Sequence, residues 1–203
     1  MVLTKIELDM SQRAARTAIG DCQEMHRLLN GLFDCPRGDA QLLYRVRSAG
    51  HSCAVYLYSS IPIEKAKLLP FMTLAGEKDV TAWAASMGEG TCVSFDILTS
   101  PTKKVPQALG KNSQRRVLRS PEERMAWLCR KASENGFGVL QVQELEPMAF
   151  FGTHRKNQGG KMFWNAFHYH GTLRITDAAL FQKVLMTGLG PGKAYGLGML
   201  LLS

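Results

Sequence analysis

The chain has 203 residues, 45% of them hydrophobic and 21% charged, and a formal net charge of +8 at pH 7. Such length and apolar content suffice for one large core or two of about 100 residues each, which excludes a disordered chain. No apolar run reaches the roughly 18 residues of a membrane span and the start alternates like a strand rather than a signal sequence, so the expected compartment is the cytoplasm.

Val2 to Met10 reads as a strand, and Ser11 caps a helical stretch rich in Arg and Ala. Residues 21–33 form a second helix with Cys22, Met25, Leu28, Leu29, Leu32 and Phe33 on its core face. Gln23, His26, Arg27 and Asn30 run beside that face as a polar strip. Leu42 to Arg47 and Ser52 to Ser60 alternate around Ser48-Ala49-Gly50-His51, a hairpin pattern. Ile63 to Leu69 and Val80 to Met87 read as short helices and Thr91 to Leu98 as a strand, which completes a β-α-β-β-α-β unit.

Residues 100–113 carry Pro, Gly and Lys and are expected to be a boundary with a mobile basic segment. Ser120-Pro121-Glu122-Glu123 then supplies a cap, a first-turn proline and acids at the positive end of a helix dipole. Met125, Ala126, Leu128, Cys129 and Ala132 give that helix its buried stripe. Strands follow over Gly138 to Glu144, Met148 to Gly152 and Lys161 to Ile175, then a helix over Asp177 to Met186 and a closing strand over Ala194 to Leu202. The expected fold is α+β: two tandem ferredoxin-like (RRM-like, βαββαβ) domains over 1–100 and 120–203, joined by a basic linker at 101–119. The first strand of the second domain is not evident.

Charge is unevenly placed. Residues 1–100 hold 10 Lys/Arg against 11 Asp/Glu, whereas residues 101–203 hold 15 against 6. Lys103, Lys104, Lys111, Arg115, Arg116 and Arg119 fall in one stretch without an acid, the footprint of a polyanion site or of a solvated basic face. Gly188, Gly190, Gly192, Gly196 and Gly198 surround Lys193, a loop whose backbone N–H groups can meet a phosphate. A plain turn feeding a strand is the alternative. A Walker A loop is excluded because Thr187 stands where the motif needs glycine and Ala194 where it needs a hydroxyl. A dinucleotide fingerprint is excluded because the loop enters a strand rather than a helix.

The five cysteines (Cys22, Cys35, Cys53, Cys92, Cys129) are widely spaced and lack a CxxC pair, which argues against a zinc cluster or disulfide framework. His168 and His170 share a strand face without a carboxylate close in sequence, so no metal is expected there. His26, at the edge of a buried stripe, has the half-supported placement that suits a proton-transfer group, although most such histidines are packing residues.

The segments Met25-His-Arg-Leu-Leu-Asn-Gly-Leu-Phe33, Met125-Ala-Trp-Leu-Cys-Arg-Lys131, Gly171-Thr-Leu-Arg-Ile-Thr-Asp177 and Gly188 to Gly198 lie in order across nearly the whole chain. Together with the paired α/β units they resemble the CasE family of RAMP proteins, which processes CRISPR repeat RNA in subtype I-E systems. The resemblance implies a metal-independent endoribonuclease that cuts repeat precursor RNA beside a stem-loop and leaves 2′,3′-cyclic phosphate and 5′-hydroxyl ends. It implies as partners the repeat hairpin, the mature crRNA and the other subunits of a Cascade complex that retains the product, with no cofactor and no membrane. It makes His26 the general acid or base.

Arg27, Gly190, Gly192 and Lys193 become candidates to hold phosphates. Arg155, Lys156 and Lys161, in the hairpin loop Thr153 to Lys161, become contacts to the RNA stem, where A-form geometry is read by shape. Lys103, Lys104, Arg115, Arg116 and Arg119 become a second basic strip. In the family a tyrosine precedes the catalytic histidine by one helical turn. Here that place is Gln23, which hydrogen-bonds but cannot act as an acid. A non-catalytic RNA-binding subunit with a structural His26 is therefore the alternative.

Overall fold

The computed structural model describes every residue except 36, 51, 107–112 and 155–159. In the first sheet, β1 (Val2–Leu8) lies between β3 (Ser52–Ser59) and β4 (Met72–Asp79), with β2 (Leu43–Ala49) outside β3. All pairs are antiparallel, and Ile6, Val55 and Leu57 are fully buried. Helices α1 (Arg13–Gly20) and α2 (Cys22–Asn30) supply the other half of this core through Ala15, Ala18, Met25 and Leu29. Burial of the Met25 and Leu29 side chains contributes about 1.5–3 kcal/mol each, and of the alanine methyls about 0.8 kcal/mol each. A short α3 (Arg37–Ala40) leads into β2.

Two elements depart from expectation here. A 3-10 turn at Lys65–Lys67 stands where a helix was predicted over Ile63 to Leu69. Pro62 and Pro70 bracket the segment, and a proline biases its predecessor away from helical backbone. β4 was not predicted because Gly76, Glu77, Lys78 and Asp79 are poor strand formers. Its edge position leaves most of those side chains exposed, so their low propensity is tolerated.

The strand expected to close the first unit instead opens the second. β5 (Cys92–Thr99) pairs with β10 (Gly160–Ile175) and β11 (Leu200–Leu202), in a sheet ordered β11-β5-β10-β8, where β8 is Phe137–Glu144. Both sheets therefore show the ferredoxin-like strand order, with α5 (Pro121–Ser133) and α6 (Ala178–Thr187) packed on the second through Trp127, Leu128, Phe181 and Leu185. Local alternation identified β5 as a strand, but its partners on β10, such as Phe167 for Thr99 and Arg174 for Cys92, lie far away in sequence. Ser120 caps α5 by accepting from the Glu123 N–H at 3.1 Å, with Pro121 in the first turn, as the sequence predicts.

The segment expected to be a mobile linker contains a two-stranded ribbon, β6 (Thr102–Val105) with β7 (Gln114–Val117). β9 (Met148–His154) pairs with the first half of β10, so that one 16-residue strand serves both this hairpin and the core sheet. Between the sheets, α4 (Thr81–Ala85) sends Ala84 into the second core, while Leu43, Tyr58, Val80 and Met199 form a cluster joining the two halves. No helix among the described residues is long and apolar enough to cross a membrane.

Candidate functional site

α2 is fixed at its start by Asp21. One carboxylate oxygen accepts from the backbone N–H of Gln23 at 2.9 Å and of Glu24 at 3.1 Å, the N-cap arrangement that satisfies free donors of the first turn. The other accepts from the Thr153 N–H on β9 at 3.1 Å, which ties the helix to the second half of the molecule. Burial pushes the Asp21 carboxyl up, but the hydrogen bonds from Glu24, Thr153 and Gln23 together hold it below its ordinary value. Gly152 packs on the same corner, where an added Cβ would lie 2.9 Å from Cys22 Sγ.

Cys22, Met25 and Leu29 face the core, and His26 is half-buried beside them. Its ring meets Tyr195 edge-on, with centroids 5.8 Å apart and planes at 70°. Tyr195 in turn lies 5.8 Å from Trp164 of β10. The glycine-rich segment makes this meeting possible. A 3-10 turn at Lys193–Tyr195 is bounded by Gly192 and Gly196, both left-handed, with φ of 79° and 81°. At Gly196 an added Cβ would lie 2.9 Å from the Tyr44 ring. The predicted strand over Ala194 to Leu202 is therefore confined to Leu200–Leu202, because left-handed glycines interrupt extended backbone.

Beyond Lys193 the loop lines a groove of about 850 Å3, walled by the β6–β7 ribbon and α5. Lys103, Lys104, Arg115, Gly190 and Lys193 meet there, as does Glu123. Arg130 and Lys131 of α5 line the same groove and were not singled out from the sequence as binding residues; both are ion-paired to Glu134. Their position on the exposed face of a helix carried no local sign of the loop opposite. Lys103 also bonds Glu123 at 2.9 Å, fastening ribbon to helix. Across the ribbon Lys103 stands opposite Arg116 and Lys104 opposite Arg115, like charges directly paired, an arrangement that destabilises a bare ribbon and favours a polyanion.

Arg116 and Arg119 line a neighbouring cavity with Arg124 and Phe167. Arg124 is itself committed: it bonds the Glu144 carboxylate, donates to the Arg119 carbonyl and stacks 4.1 Å over the Phe167 ring. Arg27 is exposed and paired with Glu24. Lys161 is exposed on β10 opposite Thr153, while Arg155 and Lys156 lie outside the described residues. The structure thus joins His26 through Tyr195 to the loop bearing Lys193 and its basic groove, and leaves Arg27 and Lys161 at its margins. Tyr195 was missed because its approach to α2 depends on the folded loop and has no local signature.

Among the described residues no group of three or more His, Cys, Asp or Glu side chains is placed to hold a metal ion. His168 bonds Asp96 at 2.7 Å and His170 bonds Gln143 at 3.0 Å. Burial pushes the Cys22 thiol up to about 11, which keeps it protonated near neutrality.

The sequence matches the family model described as CRISPR associated protein over residues 1–203. A protein of Thermus thermophilus named CRISPR-associated endoribonuclease Cse3 is 31% identical over a 216-residue alignment that covers 98% of each chain. A solved structure of CRISPR endoribonuclease Cse3 bound to a 19-nucleotide RNA has a TM-score of 0.87 at 28% identity, with 100% of both chains covered. Thermus thermophilus Cse3 bound to an RNA representing a pre-cleavage complex has a TM-score of 0.82 at 25% identity, again with 100% of both chains covered.

Proposed function

This chain belongs to the CRISPR-associated protein family, and from that premise we propose that it is a metal-independent endoribonuclease that cuts CRISPR repeat precursor RNA beside a stem-loop. Its setting is the cytoplasm, and the product stays bound as part of a Cascade-type complex. The relatives whose names state endoribonuclease activity and whose structures hold RNA span the whole chain. The observation that carries the reading is the junction of His26, Tyr195 and the glycine-rich loop at one end of a basic groove.

In this reaction the ribose 2′-hydroxyl attacks the adjacent phosphorus in line. The bond to the 5′-oxygen breaks, leaving a 2′,3′-cyclic phosphate on one fragment and a 5′-hydroxyl on the other. A proton must leave the nucleophile and another must reach the departing oxygen, and His26 serves one of these transfers. Lys193 and the loop backbone bear on the charge gathering at phosphorus. The groove cations hold the flanking phosphates. Because the nucleophile belongs to the RNA, the chemistry needs no metal-bound water.

Cleavage of the cognate repeat RNA in EDTA, compared between the native chain and His26→Ala, tests this reading. The native protein should cut, and the variant should bind with similar affinity while losing at least about 100-fold in rate. Binding without cleavage by the native chain would instead support the non-catalytic subunit, the reading that Gln23 favours.

A further inference from the structure

We propose that Phe151 and Phe163 form a stacking platform for an unpaired base of the bound RNA, at the far end of the basic track that begins at the glycine-rich loop. The inference rests on the reading of this chain as an RNA-binding protein, and it assigns a site that the chemistry at His26 does not use.

The two rings are cross-strand partners in the pairing of β9 with β10. Their centroids lie 5.2 Å apart with planes at 61°, edge against face. Phe151 is 59% exposed and Phe163 53%, the largest values among the exposed large apolar side chains described. One exposed apolar side chain is ordinary on a folded protein, whereas two in contact make a patch that calls for a partner. A cross-strand aromatic pair does steady its hairpin. Edge-on contact, however, occupies one face of one ring, and it leaves aromatic faces for a third planar group.

Charge decides what that group is. Lys161, Phe163 and Asn165 alternate on one face of β10, with Thr153, Phe151 and Ala149 opposite them on β9, so this face carries a cation and no acid. Asn165 also lines the neighbouring cavity of about 960 Å3 with Arg116 and Arg119. Lys103 lines both that cavity and the groove of the glycine-rich loop, and Glu123, which lines both as well, is bound to Lys103. A row of cations therefore leads from Lys193 through Lys103, Arg116 and Arg119 to the aromatic pair and Lys161. Cations that track a backbone beside rings that take bases are the means by which single-stranded nucleic acid is held. An apolar protein surface laid on the same face would have to strip water from those cations without pairing them. A base inside an A-form stem is stacked on its neighbours, so the base that reaches the rings is unpaired.

The platform also has a defined relation to the cleavage site. Trp164, next in the chain to Phe163, leaves the other face of β10 and meets Tyr195. A nucleotide seated on the phenylalanines is thus held across the strand from His26, where it adds grip without touching the reacting groups.

Equilibrium binding of the cognate repeat RNA and, separately, of heparin, a polyanion without bases, tests the proposal. Phe163→Ala should weaken RNA binding roughly 5- to 100-fold, the worth of one stacked base, and leave heparin binding within about twofold of native. Its slope of log affinity against log salt should stay native, because stacking releases no counterions. Phe163→Leu, apolar but without a ring, should lose affinity as the alanine variant does. Phe163→Trp should bind within about twofold of native or better, and its added indole emission should be quenched by RNA and not by heparin. Native RNA affinity in the alanine and leucine variants would overturn the proposal and leave the pair as a contact surface for a partner protein. Native affinity in the leucine variant alone would show plain apolar contact and overturn stacking as well. A native chain that binds RNA and never cuts it would refute the endoribonuclease reading, whereas the platform is decided by affinity alone.

Discussion

At the scale of single residues, the second half holds a polar network built around Arg124, Glu144 and Tyr169. Arg124 Nε lies 2.9 Å from a Glu144 oxygen, and the Tyr169 hydroxyl donates to the same carboxylate at 2.8 Å. Burial pushes Glu144 up, yet the bonds from Arg124 and Tyr169 outweigh it and hold the carboxyl below its ordinary value. A carboxyl depressed by folding adds stability that is present above its unfolded pKa and is lost as pH falls through the folded one. Glu144→Gln should therefore destabilise the protein by about 2–4 kcal/mol at pH 7. In urea titrations the gap from the native chain should narrow as pH drops below about 4, and a gap constant with pH would refute this account. Glu144 stood at the end of a correctly read strand, but its partner on α5 became visible only with the sheet formed. His26 was legible because helical periodicity placed it at a core edge, whereas Tyr195 was not.

At the scale of elements, the ribbon β6–β7 concentrates cations on a short scaffold beside the groove. Each phosphate contact removed should flatten the dependence of log affinity on log salt by about 0.7 for single-stranded RNA. Lys104→Gln with Arg115→Gln should thus reduce the slope by about 1.4 if each side chain meets one phosphate, as filter binding between about 50 and 300 mM salt would measure. An unchanged slope would remove this ribbon from the RNA path. The elements that sequence revealed best were those with local rules, such as α5 with its Ser120 cap and the β2–β3 hairpin. Those it concealed depend on distant partners. β4 survives on an edge with residues that disfavour strands, and β5 reads as a strand from its alternation while its sheet is chosen by β10 and β11.

At the scale of the whole molecule, the two halves share a buried polar contact as well as an apolar one. Arg45 of the first sheet, 4% exposed, lies 3.4 Å from Asp96 of the second, and Asp96 also binds His168. Burial pushes the Arg45 guanidinium down to about 10, with Asp96 opposing that shift. Asp96→Asn would leave this cation without its countercharge and should cost about 3 kcal/mol. For a chain of this size that corresponds to a melting temperature lower by roughly 6–12 °C in calorimetry. An unchanged transition would show that the apolar cluster around Leu43 and Met199 holds the halves together without it. The carboxylate of Asp21 bridges them at a second point, starting the helix of His26 with one oxygen and holding the β9 strand with the other. Linkage through that bridge runs in both directions. Whatever holds the β9 strand in place therefore also holds the start of the helix that carries His26, and the converse is equally true.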